Sequence, residues 1–241
     1  MMVGSDNPKT ADEKGHSEQS FVTITRDSLL DDAVRRRLQQ QYQSVPFLTP
    51  EQQRESLAAC LSQWCGGRPV HIFAYGSLIW NPAIFCKPLG PGRLFGRHRR
   101  MAMKSVFGRG TPDFPGLMLT LLPGGCCDGI VLRIEASHAR DELALLWRRE
   151  MVSGSYCPRW LPVKTPEGWV DCLVFDHNPS HPSFLGALPF EDEVAILSKA
   201  CGPLGPNKDY IFHTVKALSA WNLRDSRMAR LQEALLALES A

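Results

Sequence analysis

Phe73-Ala74-Tyr75-Gly76-Ser77-Leu78-Ile79-Trp80 runs from an apolar strand into a Gly-Ser turn and straight back into large apolar residues. Residues 70–74 are β-branched and aromatic, as a buried strand requires, and Gly76 relieves the steric limits on a loop that folds over a ligand. Successive N–H groups from Gly76 to Ile79 can converge on an anion, with the Ser77 hydroxyl as a further donor. A strand end followed by an ordinary turn has the same local sequence, so residues elsewhere decide what this stretch is for.

Downstream, short strands are expected at 93–103, 117–122, 127–135, 159–164 and 169–175. They are separated by turn signals at Pro112, Pro115-Gly116, Pro123-Gly124-Gly125 and Pro166-Glu167-Gly168. With helices at the ends and between some strands, and no regular βαβ alternation, the plan is α+β around a small sheet or partly closed barrel. The basic run Arg97-His98-Arg99-Arg100 stands alone, without a ladder of aromatics or a second cluster, and reads as a solvated strand edge rather than a nucleic-acid patch. In Gly108-Arg109-Gly110 the flanking glycines let the backbone approach a ligand while the guanidinium reaches a carboxylate; a plain exposed loop fits equally well.

The sharpest local signal lies in a helix that Ser137 can cap and Gly154 can end, with Asp141 and Glu142 in its first turns where the dipole favours negative charge. Leu143, Leu146 and Trp147 mark its buried face, and Glu150 is the next position on that face; Arg148 and Arg149 fall on the solvated side. An inward Glu is either the partner of a buried Arg or a general base, because partial burial lifts a carboxylate from its ordinary value of roughly 4.3 toward neutrality.

Upstream, residues 27–42 carry Leu30, Val34, Leu38 and Tyr42 at intervals of four, an amphipathic helix. Thr49-Pro50-Glu51-Gln52 is a capping box opening a second helix with Leu57, Leu61 and Trp64 on one face, stopped by Gly66-Gly67. These helices form an N-terminal extension (21–68) on a domain spanning 69–241, while polar residues 1–20 read as a disordered tail without the apolar stretch of a signal peptide. After the strands, a helix opened by Glu191 and Asp192 turns Val194, Leu197 and Cys201 inward. The next, capped by Asn207, has Tyr210 in its first turn, where the hydroxyl suits a substrate carboxylate or carbonyl, and the last shows Met228, Leu231, Leu235 and Leu238.

A formal net charge of +2 argues against affinity built on neutralising phosphates or anionic lipid. No segment is long enough to span a membrane, so the expected partner is a small molecule, with no nucleic acid, no membrane and no feature that specifies an oligomeric state. Eight cysteines without a secretion signal read as reduced thiols in a cytoplasmic protein. Adjacent Cys126 and Cys127 would face opposite ways on a strand, and Pro179 and Pro182 spoil a helical ligand pair at His177 and His181, so neither metal nor cofactor is expected.

Taken together, residues 73–80, Arg109-Gly110-Thr111-Pro112 with Pro115-Gly116-Leu117, Arg149-Glu150-Met151, Gly154-Ser155-Tyr156 and the segment from Gly202-Pro203 to Tyr210 form one ordered set. The set resembles the ChaC family of glutathione-specific γ-glutamylcyclotransferases over roughly residues 70–218. The resemblance implies a small mixed-sheet barrel with helices, a cavity at the Tyr-Gly-Ser-Leu turn, Tyr75, Gly76, Ser77, Leu78 and Ile79 holding a γ-glutamyl group, Glu150 as the single acid/base, and Tyr210 touching substrate. Ala74 stands where many relatives have Gly, adding a methyl at the strand end.

The implied reaction needs no protein nucleophile. The α-amine of a γ-glutamyl amide closes on its own γ-carbonyl to give 5-oxoproline, and orientation in such intramolecular reactions reaches effective molarities on the order of 10⁵ M or more. Glu150 would take a proton from the α-ammonium and return one to the departing cysteinylglycine, and Arg109 is assigned to the glycine-end carboxylate of glutathione. Three readings stay open: cleavage of reduced glutathione, cyclotransfer on other γ-glutamyl amides or dipeptides, and a catalytically inactive anion-binding module, against which Glu150 on an apolar face speaks.

Overall fold

The computed structural model describes residues 21–43 and 45–240; the expected tail at 1–20 lies outside the described residues. In chain order the elements are α1 (Arg26–Leu30), α2 (Ala33–Gln41), α3 (Pro50–Leu61), β1 (Val70–Ala74), a 3₁₀ turn (Ser77–Ile79), β2 (Lys87–Ser105), β3 (Gly116–Ile134) and α4 (Ala139–Glu150). There follow β4 (Tyr156–Thr165), β5 (Gly168–His177), α5 (Phe190–Lys199), β6 (Cys201–Gly202), β7 (Gly205–Pro206), α6 (Asn207–Ala220) and α7 (Ser226–Glu239).

The five long strands close into a barrel in the order β1-β3-β2-β4-β5, with β5 returning to β1. The expected partly closed sheet is therefore fully closed, through Ile72 beside Leu173 in a parallel pairing and Leu94 beside Val163 between β2 and β4. Where a turn was expected at Pro123-Gly124-Gly125, β3 runs on as a single strand. Phe95 pairs with Cys126 and Arg97 with Pro123, so Gly124 and Gly125, both at positive φ, oppose the single Gly96 in a bulge that bends the hairpin without ending it.

Apolar residues cover both faces of the barrel wall. Val70, Ile72, Ile130, Leu132 and Leu173 pack with Leu143, Leu146 and Trp147 of α4 and with Leu29 and Cys60 from the N-terminal helices. Phe73, Leu119, Val131 and Val174 pack with Leu197 of α5, Ile211 of α6 and Met228, Leu231 and Leu235 of α7. The turn after β1 is thus pinned between α4 and α6.

Several local expectations change. The helix expected over 27–42 breaks at Asp32, whose φ is 54°, and the break rotates Leu29 into the core while Leu30 stays exposed. The Thr49 capping box forms with Gln52 as expected, but α3 stops at Leu61, ahead of Gly66. Ser137 does not cap α4; a 3₁₀ turn leads into it, and α4 ends at Glu150 before Gly154 is reached. Cys201 is exposed on β6, beyond the inward face of α5, and Leu238 is exposed on α7. Cys126 is exposed and Cys127 buried, as alternation along a strand dictates. No helix among the described residues is long and apolar enough to cross a membrane.

Candidate active site

The chain leaves β1 at Ala74 and turns at once. Ile79 N–H closes on the Gly76 carbonyl at 2.9 Å, and Trp80 and Asn81 N–H both return to the Ser77 carbonyl, at 3.3 and 2.9 Å. Those bonds make the turn rigid and leave the N–H groups of Ser77 and Leu78 outside them. Ile79 is a correction to the expected donor set: its N–H serves the turn, and its side chain packs on the core cluster beside α4.

Gly76, Ser77 and Leu78 line a cavity together with Tyr75, Leu119, Glu150, Tyr156, Phe175 and Tyr210. Of the residues expected at the site, the fold brings Tyr75, Gly76, Ser77, Leu78, Glu150 and Tyr210 to one place, from the turn after β1, the end of α4 and the first turn of α6. Arg109 is not among the lining residues; its guanidinium donates to the Pro206 carbonyl at 3.2 Å. The space is small, about 20 Å³, and the Tyr210 hydroxyl lies over the turn, 2.8 Å from where a Cβ on Gly76 would stand.

Glu150 reaches the cavity because α4 places it one turn beyond the buried Leu146 and Trp147; its side chain is 14% exposed. Burial pushes its carboxyl above the ordinary carboxylate range, and the charge and hydrogen bond of Arg149 oppose that rise. The three tyrosines differ in what their hydroxyls do. Tyr75 donates to the Phe175 carbonyl at 2.6 Å and Tyr156 to the Leu119 carbonyl at 2.9 Å. Burial, reinforced by the Glu150 charge, pushes Tyr210 up to about 12, so it keeps its proton at neutral pH. Trp80 meets the Tyr210 ring edge-on at 6.3 Å.

Two arginines were misread from the sequence. Arg149, expected on the solvated face of α4, has a side chain only 4% exposed that bridges Glu150 Oε1 at 2.8 Å and Ser77 Oγ at 3.0 Å and donates to the Asn81 carbonyl. Arg99, expected on a solvated strand edge, is 4% exposed and donates to the carbonyls of Tyr75 and Asp128. Nothing in the helical period marks Arg149, because the turn that receives it arrives from 72 residues away. Tyr156, Leu119 and Phe175 look like ordinary strand residues, and only the Gly154-Ser155-Tyr156 grouping pointed near them.

Among the described residues no group of three or more His, Cys, Asp or Glu side chains is placed to hold a metal. His177 is held by Asp176 at 3.0 Å and His181 by the Ser153 carbonyl at 3.1 Å.

Comparison with known proteins adds an independent line. The model of the family described as ChaC-like protein matches residues 70–238. The chain is 38% identical over 176 residues to the glutathione-specific γ-glutamylcyclotransferase of Escherichia coli strain K12, covering 73% of this chain and 76% of that protein. It is 30% identical over 177 residues to glutathione-specific γ-glutamylcyclotransferase 1 of Rattus norvegicus, covering 70% and 79% respectively. A crystal structure of the γ-glutamylcyclotransferase specific to glutathione from yeast superposes with a TM-score of 0.64 at 19% identity, over 70% of this chain and 96% of that one, which shows a shared fold.

Proposed function

The chain belongs to the ChaC-like family, and from that premise we infer that it is a glutathione-specific γ-glutamylcyclotransferase, cleaving reduced glutathione to 5-oxoproline and cysteinylglycine. The observation that carries the reading at the level of residues is one cavity wall: a mostly buried carboxylate, Glu150, opposite the Gly76-Ser77-Leu78 turn.

In this mechanism the γ-glutamyl group enters as Tyr210 moves off the turn, and its α-carboxylate takes the Ser77 hydroxyl and the N–H groups of Ser77 and Leu78. That grip curls the α-amine toward the γ-carbonyl, the arrangement from which a five-membered lactam forms. Glu150 is the base. A carboxylate raised by burial exchanges protons with an amine better than a solvated one, and it hands the proton to the departing amine of cysteinylglycine as the ring closes. Tyr75 and Tyr156 spend their protons on backbone carbonyls, which leaves the protonated Tyr210 to donate to the oxygen of the γ-carbonyl as charge develops there. Arg109, whose charge acts on Tyr210, is assigned to the far, glycine-end carboxylate.

Residues 69–241 carry the activity, with 21–68 as a structural extension braced on α4. All eight cysteines are free thiols, which supports a reducing compartment, the cytoplasm, where the reduced substrate is also found. The partner is the small peptide rather than nucleic acid or membrane: Arg97, Arg99 and Arg100 of the basic run are paired internally with Asp176, Asp225 and Glu193.

The test is product analysis from reduced glutathione with the wild type and Glu150→Gln. Wild type should release 5-oxoproline and cysteinylglycine in equal amounts, and the folded variant should lose about 10²- to 10⁴-fold in kcat. A variant that turns over like wild type removes Glu150 from the mechanism.

A further inference from the structure

Arg149 is the penultimate residue of α4, and it is turned the opposite way from its neighbour Arg148, which donates to the carbonyls of Leu29 and Leu30 at 2.8 and 2.7 Å. A guanidinium has five N–H donors in a rigid fork and no acceptor. Here Nε meets Glu150 Oε1 at 2.8 Å, Nη2 meets Ser77 Oγ at 3.0 Å, and Nη1 donates to the Asn81 carbonyl. Two hydrogen bonds and an ion pair hold the fork between Glu150, Ser77 and Asn81.

Two consequences follow from that geometry. Ser77 Oγ accepts from Arg149, so its own proton cannot point there and is directed to another acceptor; the cavity that Ser77 lines is where a substrate carboxylate would stand. The titratable groups around Glu150 are few. Tyr75 faces it from the turn after β1, Tyr156 from β4 and Tyr210 from α6, all three kept protonated by burial, and Arg149 from its own helix is the cation acting on it.

We propose that Arg149 is the positioning residue of this site: one guanidinium sets the Ser77 hydroxyl as a donor toward the substrate carboxylate and holds the Glu150 carboxyl group in a fixed orientation before substrate arrives. The proposal rests on the reading of Glu150 as the base. It assigns two separable jobs to one side chain, a charge felt by Glu150 and a bridge from Glu150 to Ser77.

Lys keeps the charge and loses the bridge, and Met loses both. The carboxyl of Glu150 is titrated by carbon-13 NMR in wild type, Arg149→Lys and Arg149→Met, a measurement that needs no turnover. The Met variant should titrate at higher pH than wild type, because a buried carboxylate without its cation holds its proton more tightly; the Lys variant should stay near wild type. The acid limb of kcat/KM for reduced glutathione should move the same way, since the base must be unprotonated. KM should rise about tenfold or more in both variants, from loss of the charge-assisted bond that orients Ser77.

A Met variant with the wild-type titration midpoint, or Lys and Met variants shifted alike, overturns the charge role. If the Met variant does not fold, Arg149→Lys combined with Ser77→Ala decides the bridge: a KM no higher than that of either single variant supports it, and multiplied losses overturn it. A wild type that releases no 5-oxoproline defeats the functional reading, while the NMR titration still judges the role of Arg149.

Discussion

Arg99 Nε donates to the Tyr75 carbonyl at 2.6 Å, from a side chain 1% exposed. The same guanidinium donates to the Asp128 carbonyl at 2.6 Å and to Asp225 Oδ2 at 2.7 Å, and Asp225 also caps α7. One buried cation from β2 therefore ties the start of the binding turn to β3 and to the N-terminus of the last helix. Replacing it by Met strips the Tyr75 carbonyl of its donor and leaves the partly buried Asp225 without its cation. The expected cost is about 3–5 kcal/mol, read as a lower urea midpoint with an unchanged slope. Folded protein should show a raised KM; a variant as stable as wild type would mean that Arg99 is dispensable to the turn.

Gly76 meets a side chain across the cavity. A Cβ there would stand 2.8 Å from the Tyr210 hydroxyl and 3.6 Å from Leu119 Cδ1. Gly76→Ala should therefore push Tyr210 off the turn and occupy the floor of the γ-glutamyl pocket. KM for reduced glutathione should rise about tenfold or more, with a loss of stability of about 1–3 kcal/mol. Near-normal KM would show that the substrate does not approach Gly76.

What could be read in advance depended on how local each cause is. β1, the Tyr75-to-Leu78 turn and the inward position of Glu150 follow from short-range pattern: a β-branched run, a glycine, and the helical period that puts Glu150 beyond Leu146 and Trp147. Barrel closure at Ile72 and Leu173 and the bulge at Gly124-Gly125 depend on strands far apart in the chain, and a Pro-Gly-Gly string has the same look in a bulge as in a turn. The misread arginines share one reason. Lys and Arg are solvated by default, and the carbonyls that draw Arg99 and Arg149 inside come from distant segments.

The N-terminal extension is bound to the helix that carries Glu150. Arg26 of α1 pairs with Glu142 of α4, whose side chain is 2% exposed, and stacks over the Phe85 ring at 3.8 Å; Phe85 N–H also donates to Glu142, at 2.9 Å. Gln53 and Leu48 reach the carbonyls of Met151 and Val152 just after α4. Arg26→Ala leaves Glu142 buried with a single backbone donor and should cost about 1–3 kcal/mol by urea denaturation, with kcat changed less than about twofold because no cavity contact is lost. A large fall in kcat without loss of stability would instead make the extension part of the catalytic apparatus.

Glu150 makes the fold pH-sensitive in a direction that can be worked out. Its folded-state pKa is raised by burial above the ordinary carboxylate range, so the native state holds this proton more tightly than the unfolded chain does. Below the unfolded value both states are protonated and ionisation costs nothing. As pH rises from about 4.5 through the folded value, the unfolded chain has already released its proton, and stability falls until the native carboxyl ionises as well. Gln carries no such proton, so the stability of Glu150→Gln relative to wild type should grow across that window and level off above it. Urea denaturation of both proteins at steps from about pH 4 to about pH 8 reads the difference directly. A gap that stays constant with rising pH would mean that Arg149 fully compensates the buried charge, and one that narrows that it overcompensates; in either case Glu150 does not enter the reaction as a carboxylate lifted toward the amine it must deprotonate.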